Sequence, residues 1–416
     1  MKERLPPALR LRPFALLFTV SLTNGVATQM IAVAIGWQVF TVHHNPLDLG
    51  LVGLAEFLPL PILALPAGQL ADRVSRRLVA ASAGGIQVLI ALLLLAITLH
   101  GAHVLWPFLV VGALNGVGSA VGSPATRALT PELVPPELLP GALALRSVAS
   151  QIGVVAGPTL GGLIFAVEPV AVYALAALLL LVALGAVYGL PRLAALHVGT
   201  AISRESLVAG VRFVLGTKIL LGAITLDLFA VLLGDSIALA PVFAHSILDI
   251  GPVGLGLLRT APSVGALAAG LLLARRQLPT RAGPTLLVVV AIFGAGMIVF
   301  GLSKSLPLSL AALAVTGFAD MISMNIRATT VALVTPPELQ GRVNAVEWVF
   351  ISASNELGAF ESGLVASLIG TVAAVVAGGV AMIGLAAAWP KLFPALSRMG
   401  RLEDLQPEPV TVGSAP

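Results

Sequence analysis

The chain has 416 residues, of which 58% are hydrophobic and only 10% charged, with a formal net charge of +4. A soluble protein carries roughly a quarter of its residues as charged side chains, so lipid rather than water must solvate most of this surface. Cysteine is absent, which excludes disulfides and thiolate metal sites; the six histidines form no HxxxH pair, and the basic residues fall in short clusters rather than in the single patch that nucleic-acid binding requires.

Residues 1–13 form a basic N-terminal segment, expected on the cytoplasmic side. The first apolar stretch, 14–40, is too long for the core of a cleavable signal peptide, and no small-residue cleavage site follows it. Further stretches long enough to cross about 30 Å of hydrocarbon lie at 48–70, 79–99, 103–127, 142–167 and 169–190, which gives a first half over 14–190. Residues 191–218 make the one long linker, within which ESLVAGVRFVL (205–215) reads as an amphipathic helix lying at the membrane interface. Six more apolar stretches follow at 219–244, 252–273, 283–302, 306–330, 342–366 and 370–393, a second half over 219–393. The tail, 394–416, ends in EPVTVGSAP and reads as disordered. The fold class is therefore an all-α membrane protein with twelve transmembrane helices in two six-helix halves.

Lys and Arg set the orientation, because they accumulate on the cytoplasmic side of short loops. With these spans, 20 of the 23 basic residues fall on one side, Arg327 and Arg342 among them; Lys304 alone falls on the other, and Arg146 and Arg259 fall deeper inside spans. Both termini are thus expected to be cytoplasmic, in the inner membrane of a bacterial cell. The two halves also repeat. VPPEL at 134–138 recurs as TPPEL at 335–339, an offset of 201 residues that also carries LGLVGL (49–54) onto IGPVGL (250–255), Gly116 onto Gly317, Gly157 onto Gly358 and Gly162-Leu163 onto Gly363-Leu364. One constant offset near half the chain length points to two parallel halves, an arrangement that builds secondary transporters with a midplane site.

Twelve spans, the repeat, the central linker and GQLADRVSRR (68–77) together resemble the major facilitator superfamily over nearly the whole chain. The last stretch is similar to that superfamily's loop signature, G-x-L-A-D-R-x-G-R-R, with Gly68, Asp72, Arg73, Arg76 and Arg77 in place and Ser75 for the second glycine. The resemblance implies a conformational latch in which the arginines hold the loop inside while Asp72 meets a helix N-terminus or a basic residue; the other reading is a positive-inside signal alone. GVVAGPTLGG (153–162) resembles the antiporter signature of proton-driven exporters through Gly153, Gly157, Pro158, Gly161 and Gly162, although Ala144 stands where the long form has glycine. Glycines four apart also make a smooth face for close helix packing, so both readings stay open. GWQVF (36–40), GLAEFLPLPILALPAGQLADR (53–73) and SNELGAFESG (354–363) resemble a bacterial exporter branch of drug:proton antiporters and enterobactin-exporter-like proteins, which usually carry an acid where Ala359 stands.

Charges inside a bilayer cost roughly 2.5–3.5 kcal/mol each at a helix centre unless they pair, face water or take up protons. The proton-coupling candidates are therefore Asp227, Asp235, Glu56, Asp320, Glu356 and Glu361, with Asp227 first because no lysine or arginine lies within eight residues of it in sequence. Arg146 and Glu347 are equivalent under the repeat and are candidates for a gate across the pseudo-two-fold axis, or for separate snorkelling to the interface. Asn24, Gln29, Gln38, Asn115, Arg259 and Asn355 are candidates for the substrate cavity, with interhelical hydrogen bonding as the alternative for the amides.

The function so implied is secondary active transport by alternating access: proton-coupled export of a small organic molecule such as a siderophore, with multidrug or lipid efflux as the nearest alternative. A non-transporting sensor or scaffold is the reading from a different class. An enzyme is not expected, since HExxH, GxSxG and a phosphate loop are all missing from the sequence. The expected partners are the lipid bilayer, a small-molecule substrate and protons, with no nucleic acid, no cofactor and no metal; a monomer is expected.

Overall fold

The computed structural model describes residues 6–63, 74–101, 103–191, 204–234, 236–275 and 281–407. Its helices are α1 (Arg12–His43), α2 (Pro46–Phe57), α3 (Arg76–Leu99), α4 (Trp106–Leu133), α5 (Leu139–Val167), α6 (Pro169–Tyr188), α7 (Arg204–Gly216), α8 (Lys218–Gly234), α9 (Gly251–Arg275), α10 (Ala282–Leu302), α11 (Leu306–Val334), α12 (Gln340–Ile369), α13 (Thr371–Leu392) and the short α14 (Pro394–Ser397). Among the described residues ten helices are long and apolar enough to cross a membrane. Two others correspond to expected spans: α4, apolar over Trp106–Gly122, and the 30-residue α12, whose Glu347, Glu356 and Glu361 dilute its apolar character. The protein is an all-α, multi-pass membrane protein.

Two compact units divide the chain, and their boundary differs from the expected one. The first comprises residues 1–201 and 240–260; the second comprises 202–239 and 261–416. Segment 240–260 joins the first unit because its side chains pack there. A Cβ added at Gly36 would lie 3.1 Å from Pro241, and the His245 ring sits 5.3 Å from Trp37 and 5.5 Å from Phe40. The seventh expected span is correspondingly broken: α8 ends at Gly234, and the chain resumes as a 3₁₀ turn at Ile237–Leu239 and a π-turn at Phe243–Ile247.

Within the first unit, Phe14 and Leu17 of α1 bury against Ala81, Leu129 and Val187 from α3, α4 and α6. Within the second, one cluster joins Leu226, Leu286, Ile326, Met382 and Trp389 across four helices. Another seats Val214 of α7 on Val331, Val343 and Val346, while Val208, Val211 and Leu215 on the same helix stay exposed. The linker helix thus has its buried edge on α11 and α12.

The repeat is visible in the packing of each unit. The turn before α5 closes with Leu138 N donating to Pro135 O at 3.0 Å, and its counterpart before α12 closes with Leu339 N donating to Pro336 O at 2.9 Å. Gly116 brings α4 so close to α2 that an added Cβ would lie 2.1 Å from the Glu56 carbonyl oxygen; Gly317 does the same for α11 against α9, 1.9 Å from the Pro262 oxygen.

The expected disordered tail needs correction. Leu396, Met399 and Leu402 are buried in the cluster with Trp389, and Ala282 N and Gly283 N donate to Gly400 O and Met399 O at 2.9 and 3.0 Å. Apolar residues three apart from Leu396 to Leu405 give this stretch something to bury, which its polar continuation lacks. Residues 408–416 lie outside the described residues.

Candidate functional site

In the second unit three helices turn polar stripes toward one space. Asp320, Ser323, Met324 and Arg327 recur at helical spacing on α11, Glu347, Ile351 and Asn355 do so on α12, and Asp227 with Ala230 and Val231 lies on α8. They enclose a cavity of about 400 Å³, completed by Phe293 of α10 and Met382 of α13. On its wall Arg327 Nη1 stands 2.5 Å from Asp227 Oδ1, with the two side chains 10% and 12% exposed. The pair also borders a smaller space that holds Glu347 and Phe350.

Arg327 is a buried member of α11, within the span expected at 306–330, and it gives Asp227 the cationic partner that sequence proximity did not reveal. The other polar candidates on α12 divide by burial. Asn355 is exposed to the cavity and Glu361 is half-buried. Ser354, Gly358 and Ser362 are buried: an added Cβ at Gly358 would lie 3.0 Å from Val231 O, and Ser362 Oγ bonds Ser236 Oγ at 3.4 Å. Glu356, like Asp320, takes part in an interaction of its own. Asp235 lies outside the described residues.

In the first unit two of the amides expected to line a substrate cavity, Asn115 and Gln38, have protein partners. Asn115 Nδ2 donates to Glu56 Oε1 at 2.5 Å, and Gln87 Nε2 donates to Asn115 Oδ1 at 2.8 Å. Gln38 is buried, donates to Thr98 Oγ1 at 3.0 Å and accepts from the Tyr173 hydroxyl at 2.6 Å, so it ties α1 to α3 and α6. Gln87, Thr98 and Tyr173 were not singled out in the sequence; a polar side chain within an apolar run was the available signal. Asn24 and Gln29 are half-buried on α1.

Gly153, Gly157 and Gly161 form one face of α5 against α1. Added Cβ atoms would lie 2.7 Å from the Gly25 carbonyl carbon, 2.5 Å from Gln29 Cβ and 2.9 Å from Met30 Cα. Gly162 turns instead to α9, 2.4 Å from Pro252 O, where Gly256 answers 2.5 Å from the Pro158 oxygen and Thr159 bonds Thr260 at 2.9 Å. Arg259, in the same turn of α9, has its Nη2 3.9 Å from a Cβ placed at Gly36.

Arg146 donates to Thr130 Oγ1 at 2.8 Å within the first unit, and Glu347, its counterpart under the repeat, lines the cavity of Asp227 and Arg327 within the second. Of the loop signature, Gly68, Asp72 and Arg73 lie outside the described residues. Arg76 pairs with Glu132 at the end of α4, and the Arg77 guanidinium lies 5.9 Å over the Tyr188 ring.

Repeated helical halves, membrane-spanning length and a charged cavity enclosed by the second half define a multi-pass membrane transporter. The chain belongs to the transmembrane secretion effector family, whose pattern matches residues 5–408. Membership makes the protein a transporter of a small-molecule substrate in a lipid bilayer and not an enzyme. It is 29% identical over 413 residues to the enterobactin exporter EntS of Citrobacter koseri, covering 96% of this chain and 95% of that one. It is 27% identical over 383 residues to that of Shigella flexneri, with 89% of each covered. Among solved structures it is similar in fold to a D-xylose–proton symporter, with a TM-score of 0.73 at 14% identity over 94% of this chain and 100% of that one. A bacterial homologue of the human lysosomal transporter Spinster, in an inward-facing and unoccupied conformation, gives 0.72 at 14% identity, with 94% and 97% covered.

Proposed function

We propose that the protein is a proton-coupled exporter of a siderophore-like small molecule, a monomer in a bacterial inner membrane with twelve crossings and both termini cytoplasmic. The observation that carries this reading is the Asp227–Arg327 pair on the wall of a 400 Å³ cavity that also holds Asp320 and Glu347. An internally neutralised pair in low dielectric supplies both a donor fork and carboxylate acceptors to a polyhydroxylated ligand, and the likeness to enterobactin exporters supports such a ligand. Asp72 and its arginines act as the conformational latch, and the glycine face of α5 lets the helices of the first unit move as one body. Alternating access then presents the cavity to each side in turn.

One observation favours a second substrate class. Three carboxylates face one guanidinium in the cavity, alongside Phe293, Met324 and Met382, a lining that suits a lipophilic cation. Inside-out vesicles with an acid interior decide between the two. Protonophore-sensitive uptake of a catecholate siderophore, lost in Asp227→Asn, is the expected result. Uptake of a cationic dye alone moves the assignment to multidrug efflux, and no proton-driven uptake of either, or of a broader substrate panel, refutes coupled export.

A further inference from the structure

Among the described residues, the membrane-spanning segments of the first unit carry one carboxylate away from their ends, Glu56 within the span Pro46–Leu63. Its surroundings differ in kind from those of Asp227. Asn115 donates to it, and Gln87 in turn donates to Asn115, so the acceptor oxygen of Asn115 is committed and its amide must present N–H to Glu56. Both partners are neutral. On α3 the nearest charged residue to Gln87 is Arg77, ten residues and about 15 Å along the helix; on α4 the nearest to Asn115 is Arg127, twelve residues and about 18 Å away. On α2 itself it is Asp48, two turns back and of the same sign, facing His43 at 2.7 Å. Packed α1 has only Arg12 and His43, at its two ends.

Beside this carboxylate the helical path continues with two bonds missing: Leu58 keeps helical φ/ψ and donates to Leu54 O at 3.1 Å, but Pro59 and Pro61 supply no N–H to the carbonyls of Ala55 and Phe57. The 201-residue offset adds an independent observation. It carries Glu56, Gln87 and Asn115 onto Leu257, Val288 and Thr316, and it carries Asp227 and Arg327 back onto Val26 and Thr126. Each half has a polar cluster that its counterpart lacks.

We infer that the transported proton is held at Glu56, with Asn115 and Gln87 as positioning residues, while the Asp227–Arg327 pair serves the substrate cavity. This rests on the reading of proton-coupled export. Glu56 takes one proton from one side of the membrane and returns it to the other; no other bond changes. Asn115 can donate to the carboxylate and to the carbonyl oxygen of the acid alike, so the amide chain persists through both states.

The test reads protonation without needing the physiological substrate. Purified protein in lipid nanodiscs is titrated while infrared difference spectra follow the carbonyl stretch of a protonated carboxylic acid. The expected result is a pH-dependent band in wild type that is lost in Glu56→Gln, displaced in Glu56→Asp and in Asn115→Leu, and retained in Asp227→Asn. A band absent from wild type, surviving in Glu56→Gln, or lost in Asp227→Asn overturns the assignment. Proteoliposomes loaded with a catecholate siderophore separate this from the broader reading. Proton-driven transport that persists in Glu56→Gln overturns the inference alone, whereas a titrating Glu56 in a protein that moves no substrate with protons overturns coupled export.

Discussion

Removing one member of the Asp227–Arg327 pair should cost more than removing both. With the guanidinium and carboxylate charge centres about 4 Å apart, their attraction at an effective dielectric near 20 is about 4 kcal/mol. The side chains are only 10% and 12% exposed, so water cannot replace a lost partner in full. Arg327→Met alone leaves Asp227 without its cation, and Asp227→Asn alone leaves Arg327 with only the cavity's other carboxylates, Asp320 and Glu347; each should destabilise the second unit by up to about 3–5 kcal/mol. The double variant removes the pair as a unit and should lose far less than the sum of the two, which makes the coupling energy at least about 2 kcal/mol. Unfolding titrations of the four proteins in mixed micelles measure this cycle. Additive losses would refute the reasoning, because they would mean that the two groups do not depend on each other for charge compensation. Loss of transport in the double variant with stability restored would then mark the pair as functional.

Other expectations follow from the packing. Gly317→Leu should abolish monodisperse expression, since even a Cβ would lie 1.9 Å from Pro262 O, whereas Gly270→Ala, with nothing within 4 Å, should gain up to about 1 kcal/mol of helix stability. Gln38→Leu strands the buried Tyr173 hydroxyl and should cost about 1–3 kcal/mol, much of it recovered by adding Tyr173→Phe. Leu396→Ala should cost about 2–5 kcal/mol, because its side chain is fully buried; no change in the unfolding midpoint would restore the disordered tail.

The parts of this architecture that were legible in the sequence are those written in local composition. Span positions follow from apolar length, and the repeat follows from Gly116 and Gly317, whose small size is fixed by a neighbouring carbonyl that both halves bring close. What escaped depends on partners far along the chain. Asp227 looks isolated along its own helix because its partner, Arg327, lies a hundred residues on, and Arg327 near the end of its own span reads as one more orientation charge. Asn115 and Gln38 read equally well as ligand contacts or as cross-links, since an amide's partner is invisible until helices are packed. The tail was misjudged because its closing residues are polar while Leu396, Met399 and Leu402 supply an apolar edge that finds a groove only in the assembled unit.

The unit boundary has a consequence for how the chain is made. Since the first unit includes residues 240–260, it lacks part of its packing when its sixth helix leaves the ribosome; α7 and α8 must be synthesised before Pro241, His245 and Gly256 arrive. The second unit is likewise incomplete until Leu396 and Leu402 emerge, after the whole of α13. Neither half can finish folding in the order in which it is written, so newly inserted helices must wait in the bilayer for partners encoded downstream.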